Sequence, residues 1–177
     1  MVMKSNYQHV NEHKLNLLCY SPSKPLIPSS HVKILVDADA CPKVIKEIIC
    51  KAAHNRQIRT LFVSNHPIGL PPSPFIFAKV VAKGFDVVDN DIVNRVSEGD
   101  LVITGDIPLA FEVIAKQAHA LNPRGELYTK ETIKQRLTMR DVSEQLRDSG
   151  AILKGQAPLC NKHKQAFANH FDKILNG

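Results

Sequence analysis

The sequence predicts an α/β protein whose parallel β-sheet is covered by helices on both faces. Two observations predict this class. Short runs rich in Val, Ile and Leu alternate along the chain with amphipathic segments of helical periodicity. These short runs are apolar at nearly every residue rather than at every second residue, which is typical of parallel strands with both faces buried.

The first half of the pattern opens with a predicted strand at Val32–Val36. A helix is predicted from Pro42 to about His54, because proline suits the first helical position, where its missing N–H costs nothing. Two further strands are predicted at Ile58–Val63 and near Lys79–Ala82, and a long proline-dense loop separates them.

The second half repeats the alternation with shorter elements. A short helix is predicted at Asp89–Arg95 and a strand at Leu101–Thr104. A helix at Leu109–Gln117 and a fifth strand near His119–Leu121 follow. Each predicted strand is a mainly apolar run, and each predicted helix gathers its apolar residues on one face.

Two longer helices are predicted after the sheet. Thr129 can cap a helix that continues to about Asp148 and stops at Gly150, since glycine is common just past a helix C-terminus. After a polar link that contains proline, Lys162–Leu175 has the pattern of a last amphipathic helix.

The 177 residues suffice for one domain with a buried core, which we expect at residues 31–177. Residues 1–30 are expected to form a flexible N-terminal extension, because Ser21–Ser30 is rich in serine and proline. The sequence has no run of about 18 apolar residues, so we expect no membrane-spanning helix. We expect a cytoplasmic location, because the short apolar stretch near the N-terminus does not predict a signal peptide.

Positive charge is concentrated in the last third of the chain. The net charge is +6, and residues 115–177 carry eleven Lys or Arg against six Asp or Glu. Such a basic region favours binding of a polyanion, although the same charges can also form a plain solvated surface. The helix predicted after Thr129 presents Lys130, Lys134, Arg136, Arg140 and Arg147.

Carboxylates follow three of the predicted strands. Asp37 and Asp39 come directly after the first strand, and Asp106 follows the fourth. In a doubly wound sheet these two strands are usually neighbours across the topological switch point, so Asp37 would face Asp106. Three more carboxylates follow the third strand: Asp86, Asp89 and Asp91.

Clustered carboxylates at one sheet edge predict a site for Mg²⁺ or Mn²⁺, which prefer hard oxygen ligands and bridge to phosphate oxygens. Ser64 and Thr104 could supply further oxygen donors at strand ends, and Arg124 could bind a phosphate through its guanidinium fork. The alternative is that each aspartate is a turn or cap residue and that Arg124 is a solvated side chain in a Pro-Gly turn.

Six short motifs occur in order along the chain: Asp37–Pro42, Pro72–Pro74, Gly84–Asp86 with Asp89, Thr104–Ala110, Asn122–Gly125 and Met139–Asp141. Together they resemble the YaiI/YqxD family of bacterial proteins over about residues 31–175. That family is grouped with the PIN-like and NYN nuclease domains. The resemblance therefore implies a PIN-like three-layer α/β/α sandwich with a central parallel sheet, plus C-terminal helices.

The resemblance also implies a site and a reaction. By position it assigns the catalytic, metal-binding acids to Asp37, Asp89 and Asp106, with Asp39 as an additional acid beside the metal. The implied activity is a Mg²⁺- or Mn²⁺-dependent ribonuclease that binds RNA through the basic C-terminal helices.

Two alternatives remain open. Asn90 stands where family members often carry a second acid, and Ile107 follows the Thr-Gly-Asp triplet where the nuclease relatives tend to carry another. Both differences favour a non-catalytic module that binds metal, nucleotide or RNA. A phosphatase of the haloacid dehalogenase type also begins with a strand and Asp-x-Asp, with Asp37 as nucleophile and Asp39 as general acid. Those enzymes, however, usually continue with Thr or Val where this chain has Ala40.

Overall fold

A computed structural model describes residues 34–84, 86–148 and 157–176 of the chain. Its strands are β1 (Ile34–Asp37), β2 (Thr60–Ser64), β3 (Ile76–Val80), β4 (Leu101–Ile103), β5 (His119–Leu121) and β6 (Leu127–Tyr128). Its helices are α1 (Lys43–Arg56), α2 (Val87–Arg95), α3 (Ile107–Ala115), α4 (Lys130–Asp148) and α5 (Asn161–Asn176). The predicted extension at residues 1–30 and the predicted helix stop at Gly150 lie outside the described residues.

The strands form one sheet in the order β3-β2-β1-β4-β5-β6. The first five strands are parallel, and β6 pairs antiparallel with β5. The predicted α/β class and the predicted adjacency of the first and fourth strands are therefore confirmed. The sheet order reverses direction between β1 and β4, which makes their carboxyl ends the topological switch point of the sheet.

Helices cover both faces of the sheet, so the described chain has three layers. Alternate residues of each strand point to opposite faces, and β1 shows this most simply. Leu35 packs on the face covered by α2, α3 and α4, whereas Ile34 and Val36 pack on the face covered by α1 and α5. Both clusters are almost fully buried, which explains why the sequence of β1 is apolar at every residue.

Strand β2 was predicted at Ile58–Val63 and spans Thr60–Ser64, and two other strands differ more from the prediction. The third strand was predicted near Lys79–Ala82 but spans Ile76–Val80, because Thr60 of β2 pairs with Ile76. The short strand β6 was not predicted. It follows a tight turn in which Asn122 N–H donates to the Glu126 carbonyl at 2.8 Å, and this turn makes its pairing antiparallel.

Two helices begin two residues earlier than predicted, and α1 begins one residue later. Helix α2 starts at Val87, which puts Asp89 in its first turn, and α3 starts at Ile107 directly after its N-cap Asp106. Helix α1 starts after Pro42. None of the helices in the described part of the chain is both long and apolar enough to cross a membrane.

Candidate functional site

The carboxyl ends of β1 and β4 open into a cleft of about 470 Å³, which we call the acidic cleft. Parallel strands end at the same sheet edge, so residues far apart in sequence meet there. Of the described residues that line this cleft, none carries a positive side chain. The lining residues are Asp37, Asp39, Ala40, Asn65, Gly84, Asp86, Val87, Val88, Asp89, Gly105 and Asp106.

Asp37 ends β1 and is buried, with 6% of its surface exposed. Its Oδ2 accepts a hydrogen bond from Thr104 Oγ1 at 3.1 Å, and its Oδ1 accepts one from Ala40 N at 3.3 Å. Burial raises the pKa of Asp37 above its usual value, and the two hydrogen bonds oppose that rise only in part. The carboxylate is therefore fixed in position but costly to keep ionised in the absence of a cation.

Thr104 links two of the acids. The register that pairs Val36 with Ile103 puts Thr104 beside Asp37, where its hydroxyl donates to the carboxylate. The same hydroxyl oxygen accepts the Asp106 N–H at 3.0 Å. Thr104 is fully buried and does not line the cleft, and its hydroxyl holds Asp37 and Asp106 together.

Asp106 is the N-cap of α3. Its Oδ1 accepts the Leu109 N–H at 2.9 Å, which satisfies one of the free donors at the helix start. Asp106 nevertheless lines the acidic cleft beside Asp37. The cap alternative considered for single aspartates is therefore correct for Asp106, and the cap and a position in the cleft occur together.

Asp89 is the acid most affected by its neighbours. Its pKa is raised to about 6, first by partial burial and then by the negative charges of Asp106, Asp37, Asp86 and Glu112. Asp89 reaches this position because α2 begins at Val87, with Asp86 as its N-cap. The cleft therefore concentrates like charge that no cationic side chain among its described lining residues offsets.

Asp39 lies at the rim of the cleft and holds the loop after β2. Its Oδ2 accepts the Asn65 N–H at 2.9 Å, and its Oδ1 lies 2.9 Å from His66 Nδ1. Ser64 does not line the cleft. Its buried hydroxyl donates to the His66 carbonyl at 2.7 Å and so helps to shape this loop.

Arg124 lies outside the acidic cleft, in a neighbouring cleft of about 300 Å³ that we call the basic cleft. Gly105 lines both clefts, so they adjoin at the end of β4. The predicted phosphate-binding role of Arg124 would thus belong to this second cleft. Its lining residues are Gly105, Ile107, Asn122, Arg124, Glu126, Tyr128, Arg136, Ala157 and His163.

The sequence groups Asp91 with the acids after the third strand, but Asp91 does not line the cleft. Lys79 and Arg95 form ion pairs with it. Burial alone would raise the pKa of Asp91, but these two hydrogen-bonded cations outweigh burial and lower it. Asp86, which the sequence placed after the same strand but not in the catalytic set, does line the cleft.

The donor chemistry of the acidic cleft suits a hard divalent cation. Within the described ranges, no group of three or more His, Cys, Asp or Glu residues is preassembled to hold a metal ion. Mg²⁺, however, keeps several waters and is commonly bound through one or two carboxylates together with substrate phosphates. Any metal at this cleft would therefore need substrate phosphates or water as further ligands.

Comparison with known proteins identifies relatives along most of the chain. A family model described as "Uncharacterized BCR, YaiI/YqxD family" matches residues 35–177. A UPF0178 protein of Shewanella amazonensis is 60% identical over 144 residues, which cover 81% of this chain and 97% of the relative. One of Halorhodospira halophila is 58% identical over 144 residues, covering 81% and 95% respectively. No solved structure matches the chain.

Proposed function

The chain belongs to the YaiI/YqxD family, as its motifs predicted, and we propose that it is a Mg²⁺- or Mn²⁺-dependent ribonuclease acting on RNA phosphodiester bonds. The observation that carries this proposal is the acidic cleft at the topological switch point. Ligands of open α/β sheets bind in the crevice at this edge, and clustered carboxylates there suit phosphate chemistry assisted by a cation.

In this proposal Asp37, Asp89 and Asp106 would hold the cation, with Asp39 beside them. Burial and then the repulsion of neighbouring acids raise the pKa of Asp89 to about 6, and this supports the assignment because a bound cation would relieve the repulsion. A cation held by these residues would supply two effects, neutralising charge on the phosphodiester and lowering the pKa of a bound water. The chain's own contribution is to hold the acids in place through Thr104.

One helix N-terminus supports phosphate binding at the same place. Asp86, the N-cap of α2, lines the acidic cleft and makes no side-chain cap hydrogen bond. In α3, by contrast, Pro108 has no N–H and the Leu109 N–H already bonds Asp106. Backbone N–H groups at a helix start carry partial positive charge and attract anions. The cleft therefore combines acids that can hold a cation with backbone groups that can orient the phosphate. We take RNA as the substrate because residues 115–177 are strongly basic.

The test is a cleavage assay with end-labelled single-stranded RNA and Mn²⁺. Asp37→Asn and Asp106→Asn are each expected to lower the cleavage rate by about 100-fold or more, because each removes a ligand charge worth several kcal/mol in the transition state. Asn remains a good N-cap, so Asp106→Asn keeps the start of α3.

Asp91→Asn is the matched control, because it removes an aspartate charge from α2 outside the cleft. It is expected to cleave RNA at the wild-type rate, and urea unfolding would verify that all three variants are folded. Equal rates for wild type, Asp37→Asn and Asp106→Asn would refute the proposed ribonuclease.

A second candidate is a non-catalytic module that binds metal, nucleotide or RNA. One observation favours it: Asp106 is already engaged as a helix cap. Metal-independent RNA binding without cleavage would select this candidate. Release of phosphate from a small phosphoester, with the RNA left intact, would instead select the phosphatase alternative.

A further inference from the structure

We infer that the basic cleft binds a phosphate of the RNA strand next to the scissile bond; this inference rests on the proposed function and extends it. The two clefts adjoin at Gly105, and an added Cβ at this glycine would have no atom within 4 Å. The rim between the clefts is therefore open to a strand that enters both.

The charge of the basic cleft suits a phosphate without any metal. Arg124 and Arg136 provide two permanent positive charges against the single carboxylate of Glu126. The acidic cleft has the opposite charge and would accept a phosphate only with a cation. Adjoining sites of opposite sign fit a polymer that presents successive phosphates, one beside the cation and the next beside arginine.

Arg124 is held in place before any ligand arrives. Its backbone N–H donates to Asn122 Oδ1 at 2.8 Å, and its Nη2 donates to the Ala157 carbonyl at 2.6 Å. A guanidinium has five N–H donors, so a single such bond leaves most of its phosphate-binding fork available. Preorganisation of this kind lowers the entropic cost of binding.

Tyr128 adds a neutral donor. Because Asn122 Oδ1 already accepts the Arg124 N–H, the Nδ2 group of Asn122 faces Tyr128 and donates to its hydroxyl oxygen at 2.6 Å. The hydroxyl hydrogen of Tyr128 therefore remains able to donate. The cleft volume of about 300 Å³ is at the lower end for ligand pockets, which suits a phosphate with its sugar.

The experiment measures RNA binding in EDTA, which separates the basic cleft from metal-dependent chemistry. A fluorescently labelled 12-nucleotide single-stranded RNA is titrated with wild type, Arg124→Gln and Arg124→Lys at several KCl concentrations. Arg124→Gln is expected to weaken binding about 10-fold. It should also reduce the salt slope by about 0.7, the value for one lost phosphate contact on a single strand. Arg124→Lys, which keeps the charge but lacks the fork, should be intermediate.

Lys51→Gln is the matched control, because Lys51 is an exposed cation of α1 that lines neither cleft. It is expected to change affinity by less than about 2-fold. Arg136→Gln serves as a second variant in case Arg124→Gln fails to fold, and should also weaken binding. Equal losses of RNA affinity for Lys51→Gln and for the arginine variants would overturn the inference, because they would indicate general charge attraction without a specific site.

Two other outcomes would also overturn it: no binding of RNA by wild type in EDTA, or Arg124-dependent binding of a 5′-mononucleotide but not of RNA. The inference and the proposed function can fail separately. Arg124-dependent RNA binding without Mn²⁺-dependent cleavage supports the basic cleft and refutes the ribonuclease. Cleavage that is unaffected by Arg124→Gln refutes the basic cleft alone.

Discussion

The acidic and basic clefts adjoin at Gly105 but are built on opposite principles. In the acidic cleft, like charges repel one another, and the pKa of Asp89 rises to about 6. In the basic cleft, Arg136 forms an ion pair with Glu126, and Arg124 donates a hydrogen bond to the Ala157 carbonyl. The first arrangement lowers the stability of the folded chain, whereas the arginines of the second have hydrogen-bond partners in the absence of a ligand. Sites that reduce stability are typical of function.

The largest expected difference between the clefts is in how strongly substitution of a glycine lowers the stability of the protein. Gly125 has φ +88° in the turn before β6, and an added Cβ would lie 2.4 Å from the backbone N of Phe167 in α5. Gly125→Ala is therefore expected to destabilise the protein by about 3 kcal/mol or more, since backbone strain and overpacking add. Gly105→Ala has open space and should change the free energy of unfolding by less than about 0.5 kcal/mol.

Urea unfolding of both glycine variants measures this difference. Equal stabilities would mean that α5 is not packed tightly against the turn that carries Arg124. The docking of α5 would then not define the basic cleft.

Each cleft also depends on a buried hydroxyl. Thr104→Val removes the donor to Asp37 and leaves the Asp106 N–H without its acceptor, so a loss of about 2 kcal/mol is expected. Tyr128→Phe removes a single acceptor, that of Asn122 Nδ2, and should cost about 1 kcal/mol. Thermal unfolding would measure both. A smaller loss for Thr104→Val than for Tyr128→Phe would contradict its linking role in the acidic cleft.

Two aspartates of α2 should show opposite signs. The pKa of Asp89 is about 6 in the folded protein and near 3.8 when unfolded, so its ionised form opposes folding above pH 6. Asp89→Asn should stabilise by roughly 1–2 kcal/mol at pH 8, after allowance for solvent screening, and this gain should vanish below about pH 4.

The pKa of Asp91 is lower in the folded protein than in the unfolded chain. Its ionised form therefore stabilises the fold at pH values above the pKa of the unfolded chain, and this contribution is lost as the pH falls through the folded pKa. Asp91→Asn should therefore cost about 1 kcal/mol at pH 8. Urea unfolding at pH 8 and pH 4 measures both variants. Destabilisation by Asp89→Asn at pH 8 would contradict the charge repulsion assigned to the acidic cleft.

The strands in the middle of the sheet were predictable because burial on both faces makes them apolar at every residue. Strand β3 was displaced in the prediction because it is an edge strand with mixed burial, so its apolar signal is weak. Strand β6 has only two residues, so it shows no hydrophobic periodicity, and its sequence resembles a plain turn. Tertiary pairing, not local pattern, creates both.

The acidic cleft was largely predictable, because the topology of a parallel sheet brings strand ends together whatever the details of packing. The position of Asp91 outside this cleft was not predictable. It depends on the ion pair with Lys79 in β3, and the register of β3 could not be read from the sequence. The basic cleft was not predictable either. It requires Arg136 of α4 to reach Glu126 and α5 to dock nearby, and such contacts leave no local signal.

The smallest expected effect concerns the ion pair of the basic cleft. Arg136 and Glu126 form a bidentate pair with N–O distances of 2.7–3.0 Å, but their side chains are 52% and 35% exposed. A double-mutant cycle with Arg136→Gln and Glu126→Gln should therefore give a coupling below about 1 kcal/mol in urea unfolding.

Because the pair is weak, Arg136 can exchange Glu126 for a phosphate at little cost. Glu126→Gln alone should then tighten RNA binding about 3-fold in EDTA. A coupling well above about 2 kcal/mol, with unchanged RNA affinity, would instead make the pair a fixed part of the fold.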